Sequence, residues 1–77
     1  MTFYAVAYVD ESGTVKAVQC SDLPIDRPCI QGESLTRYSL TIAGDYTDAA
    51  NVYPNCSIED GTVSVSGFTV KHQERMS

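Results

Sequence analysis

The side chains that could do chemistry in this chain are sparse. There is one histidine, His72, and three cysteines, Cys20, Cys29 and Cys56. Nucleophilic catalysis needs a nucleophile, a base and usually a third group that orients the base. His72 would have to be the base, and its neighbours Lys71 and Arg75 are themselves cationic. Cys56 is the least unsuitable nucleophile. Pairing about the Asp60-Gly61 turn, however, sets Cys56 opposite Val65 and away from His72. A strand-end histidine in partial contact with water is the simpler reading. A metal centre needs Cys, His or carboxylate ligands in a cluster. Asp45-x-x-Asp48 comes nearest, and a capped helix start accounts for it better. The glycines stand apart at positions 13, 32, 44, 61 and 67, so there is no phosphate-cradling loop and no dinucleotide fingerprint. The expectation is no catalytic residue, no metal and no cofactor; the chain is read as a non-enzyme.

Charge and aromatic residues point to contact. The net charge is −5 and the isoelectric point about 4.4. Phosphate binding needs a surplus of Lys and Arg, so nucleic acid is not expected as a direct ligand. Lys16, Arg27, Arg37, Lys71 and Arg75 are scattered. Asp10-Glu11 and Glu59-Asp60 fall at two expected hairpin turns. If the hairpins point the same way, these carboxylates gather at one end of the sheet and suit a basic protein partner. Tyr4 and Tyr8 share one face of the first strand and form a second candidate contact stripe. The partner-binding set is therefore Asp10, Glu11, Glu59, Asp60, Tyr4 and Tyr8. The plainer reading is that turns are polar because they are solvated, and that tyrosines fill the core of a chain without Trp.

The elements that must position these residues are mostly strands. Thr2 to Val9 is apolar on both alternating faces, as in an inner strand with layers on both sides, or one whose second face meets another molecule. Asp10 to Gly13 is a tight loop, and Thr14 to Cys20 returns as the second strand. Ser21 to Ser34 is a long connection in which Pro24 and Pro28 exclude a central strand. Its Leu23 and Ile25 are expected to lie as a lid over one edge of the core. Leu35 to Ala43 alternates, with Tyr38, Leu40 and Ile42 inward and Arg37, Ser39 and Thr41 toward water. Asp45 to Tyr53 is read as a short helix capped by Asp45, packing Ala49, Val52 and Tyr53 inward and stopped at Pro54. Cys56 to Glu59 and Thr62 to His72 flank the Asp60-Gly61 turn. The inward set shifts phase at Gly67, which implies a bulge or bend. Residues 73–77 are read as a loose tail.

The expected fold is mainly β (α+β): one small antiparallel sheet of about five strands in ββ–loop–β–α–ββ order, strongly twisted or partly closed, with a short helix near 45–53. One domain covers residues 1–77. No apolar run reaches the ~20 residues of a membrane span. An odd cysteine count without an export signal favours reduced thiols and a cytoplasmic location, with a Cys20–Cys29 bridge as the minor alternative. In general character only, the chain resembles small virus-encoded proteins that bind and block host machinery, anti-CRISPR proteins among them. The expected function is an acidic, non-enzymatic inhibitor that covers a basic surface on a nucleic-acid-handling partner. The alternative is a small homo-oligomeric structural or assembly subunit, a homodimer being the simplest, motivated by the two-sided first strand.

Overall fold

A computed structural model describes residues 1–27 and 34–76. Among these residues six strands form two antiparallel sheets, with a short helical segment between the third and fourth strands. The strands are β1 (Thr2–Val9), β2 (Val15–Ser21), β3 (Thr36–Ala43), β4 (Cys56–Glu59), β5 (Thr62–Val65) and β6 (Thr69–Arg75). The larger sheet has the order β2-β1-β3-β6, and β4 pairs with β5 in the smaller one. The mainly β class and the element order agree with the sequence reading. The expected last strand is divided at Gly67, and its halves enter different sheets.

β1 is central because it is apolar on both faces. Phe3, Ala5 and Ala7 join Leu40, Ile42, Val52, Val63 and Val65 in the main core. Val6 and Tyr8 point to the opposite face and are also fully buried. Both faces of β1 are thus satisfied within one chain, which removes the motive for the assembly reading. Arg37, Ser39 and Thr41 were expected toward water, but all three are half-buried on that second face. β2 and β3 run parallel to each other on either side of β1. Such a pair needs a crossover connection of a dozen or so residues, which explains the long proline-containing segment.

β4 and β5 turn the structure toward closure. β5 lies along β6, and β4 reaches β2, so the smaller sheet covers the core face of the larger one. The chain passes from β5 to β6 through a turn closed by Phe68 N–H donating to the Val65 carbonyl at 3.0 Å. Gly67 takes φ +87° there, a left-handed value that L side chains resist. β5 and β6 splay after this turn, and the Gln73 side chain fills the gap. Its Nε2 donates to the Gly61 carbonyl at 2.6 Å, and its Oε1 accepts from Val63 N–H at 2.7 Å. A single side-chain amide therefore replaces the missing ladder. This is why residues 73–75 are not a loose tail: they complete β6, and Met76 N–H bonds the Arg37 carbonyl beyond it.

The helical segment also differs from its reading. Tyr46–Asn51 is a 3-10 turn capped by the Asp45 carboxylate, which accepts from Thr47 N–H at 3.1 Å. It runs into a single α turn, α1 (Val52–Asn55), which includes Pro54 rather than stopping before it. Proline is tolerated in the first turn of a helix, where its missing donor has no partner anyway. A three-residue period puts positions 46, 49 and 52 on one face. Val52 is accordingly buried and Ala49 packs on the core, whereas Tyr53 is thrown outward. Leu23 likewise departs from the lid expectation. Its N–H donates to Ser21 Oγ in a tight turn off the end of β2, and its side chain is 68% exposed. Ile25 is half-buried. Pro28 and Cys29, and with them the Cys20–Cys29 bridge, lie outside the described residues. No helix among the described residues is long and apolar enough to cross a membrane.

Candidate binding surface

The first acidic turn is organised by its own aspartate. Asp10 Oδ1 accepts from Ser12 N–H at 3.0 Å, Ser12 Oγ at 2.7 Å and Thr14 N–H at 2.9 Å. Asp10 Oδ2 stands 3.6 Å from Lys16 Nζ. The Ser12 hydroxyl, then the Thr14 amide, hold this carboxyl below the ordinary carboxylate range. Asp10 is therefore committed to the hairpin and not presented freely to a partner. Glu11, beside it, is exposed.

The second turn presents its carboxylates outward. Asp60 takes φ +51° and Gly61 φ +77°. Two successive positive φ values match the right-handed twist of a two-residue hairpin, which is why Asp-Gly stands here. Glu59 and Asp60 are exposed. Neither they nor Glu11 meet a cationic side chain among the described residues.

The two turns do not converge into one cluster. Asp10 follows Val9, which registers with Thr36 at the rim of the sheet. Gly61 is tied to Gln73, which registers with Leu40, four positions along β3. At ~3.3 Å per residue the second turn sits on the order of 13 Å below the rim. Among the described residues no group of three or more His, Cys, Asp or Glu side chains is placed to hold a metal ion.

Of the tyrosine stripe, Tyr8 is not available for contact. It is fully buried, its hydroxyl donates to Gln19 Oε1 at 2.7 Å, and the Arg37 guanidinium lies 6.0 Å from its ring centroid. A ring this size with a satisfied hydroxyl serves as a second small core. Tyr4, on the same face, is half-buried. The tyrosines that do face water are Tyr46, 45% exposed, and Tyr53, 50% exposed. Tyr46 rests one edge on Phe3, with ring centroids 6.4 Å apart. Asp48 is exposed between them on the same segment. Sequence reading missed this pair because it assumed a 3.6-residue period; a six-residue segment capped by Asp45 fits the tighter turn as well.

His72 is exposed on β6, opposite Thr41, and Cys56 is opposite Val65 as the Asp-Gly turn implied. Cys20 and Cys56 are half-buried free thiols packed on the core. Burial pushes both above the ordinary thiol value, and the neighbouring Cys20 raises Cys56 further. Their reactivity as nucleophiles is correspondingly low. Comparison with protein-family models, with curated proteins and with solved structures finds no match for this chain.

Proposed function

We propose that this chain is a non-enzymatic binding protein that covers a basic surface on a protein partner. The observation that carries the reading is the outward presentation of Glu59 and Asp60. They stand on a twist-matched turn, exposed, with no cationic neighbour among the described residues. Glu11 at the rim and Asp48 between Tyr46 and Tyr53 are further exposed carboxylates. Carboxylates fixed on turns meet Lys and Arg with little ordering cost, and tyrosines supply contact area with few rotamers to freeze. Basic surfaces of this kind are typical of proteins that handle nucleic acid, so an inhibitory role against such a partner is the specific form of the proposal. Asp10 and Tyr8 leave the contact set, because the fold uses both.

The test is a triple reversal, Glu11→Lys, Glu59→Lys and Asp60→Lys, which leaves the Asp10 turn intact. Each substituted side chain is exposed, and Asp60→Lys at φ +51° weakens the turn by about 1 kcal/mol, so circular dichroism checks that the variant is folded before binding is compared. Immobilised wild-type chain is expected to retain basic proteins from a lysate that the variant releases. Equal retention by both would end the electrostatic reading.

A further inference from the structure

We infer that Cys20 and Cys56 form a modification site, a thiol pair that a peroxide or disulfide oxidant closes into a bridge between the two sheets. The fold brings them together from distant positions in the chain. Cys20 is the penultimate residue of β2, the edge strand of the larger sheet, and Cys56 opens β4 in the smaller one. β2 packs against both β4 and the α turn that runs directly into Cys56. Both sulfurs face the same core, and Cys20 Sγ lies 3.9 Å from the Ala49 carbonyl, three residues before that turn's Val52. Burial, with Cys20 as a second contribution, raises the Cys56 thiol above its ordinary value. No backbone ladder joins β2 to β4, so a bridge here would supply the covalent tie that this seam lacks.

With hydrogen peroxide the step balances as follows. One thiol, as thiolate, attacks a peroxide oxygen. The O–O bond breaks, hydroxide leaves and is protonated to water, and the sulfur becomes a sulfenic acid. The second sulfur then attacks the sulfenic sulfur, the S–O bond breaks, and a second water leaves with the remaining thiol proton. Two electrons pass from the thiol pair to the peroxide. An ordinary thiol is already mostly protonated at neutral pH and burial raises both further, so closure is slow there and quickens as pH rises.

The experiment oxidises the full chain with hydrogen peroxide and maps the bridged peptides by mass spectrometry, in the wild type and in Cys29→Ser. The expected product in both is an intramolecular Cys20–Cys56 bridge that dithiothreitol reverses. In Cys29→Ser it is expected to raise Tm by about 10 °C, since it closes a long loop of the unfolded chain. A Cys20→Ser, Cys29→Ser double variant retains one thiol and is expected to show neither the bridge nor the shift. The inference is overturned if Cys29→Ser yields only intermolecular dimers or overoxidised monomers, or if Cys29 takes one of the other two cysteines in the wild type's main product.

Discussion

Replacing Gln73 by Ala removes the side chain that ties β5 to β6. Two hydrogen bonds are lost, at 2.7 Å to Val63 N–H and 2.6 Å to the Gly61 carbonyl. They are not equivalent. Gly61 is exposed, so water replaces its donor at small cost, but Val63 is only 3% exposed and its N–H is left without a partner. A net hydrogen bond is worth about 1 kcal/mol, and a stranded buried donor adds about 1–3 kcal/mol. Against this, alanine has no rotamer entropy to lose on folding, which returns about 1–2 kcal/mol. The expected loss is about 2 kcal/mol. A domain of this length holds on the order of 4–12 kcal/mol in all. In thermal unfolding followed by circular dichroism, the loss corresponds to a Tm lower by about 8–16 °C. Glu74→Ala, at the next residue and exposed, is the control and should stay within about 0.5 kcal/mol of wild type. A Gln73→Ala variant that melts with the control would refute the claim that a side-chain amide holds the two sheets together.

Other outcomes follow from the same contacts. Asp10→Asn keeps an acceptor for Ser12 and Thr14 but removes the charge. The Asp10 carboxyl is lowered in the folded state, so the stability it gives is present above the unfolded value of about 4 and is lost as pH falls through the lowered one. The difference in Tm between Asp10→Asn and wild type should therefore shrink as pH falls through that window; a constant difference would contradict it. Leu40→Ala empties a fully buried site on β3 and should cost about 3 kcal/mol in urea unfolding, a large share of the whole. Gly67→Ala forces an alanine to φ +87° and should cost about 1 kcal/mol, although a Cβ there meets no atom. Light scattering of the wild type should show a monomer, since both faces of β1 are buried within one chain.

Much of this fold is legible in the sequence, and the reasons differ by element. The β1–β2 hairpin follows from the apolar run ending at Asp10-x-x-Gly13, and the β4–β5 hairpin from Asp60-Gly61. The break at Gly67 shows in the phase shift from Val63 and Val65 to Phe68 and Val70. What escaped depends on distant partners. The role of Gln73 requires knowing that β5 and β6 splay, and nothing near residue 73 signals that. The burial of Tyr8 depends on Gln19 and Arg37, which arrive from strands on either side of it. The outward turn of Tyr53 rests on a 3-10 period that a six-residue segment does not announce. Of the six contact residues read from sequence, Glu11, Glu59 and Asp60 keep exposed side chains and Tyr4 a half-buried one, while Asp10 and Tyr8 are absorbed by structure. Local patterns specify turns well; they do not reveal which polar group a neighbouring strand will claim.

The central functional claim is that exposed carboxylates on fixed turns engage a basic protein surface. Its most direct measurement is the affinity of the purified chain for a protein it captures, followed across a salt series beside the Glu11, Glu59 and Asp60 reversal. Affinity is expected to fall steadily as salt rises, and the reversed chain is expected to lose at least about 2–3 kcal/mol of binding at low salt. Binding that is indifferent to salt and equal in both chains would contradict the claim.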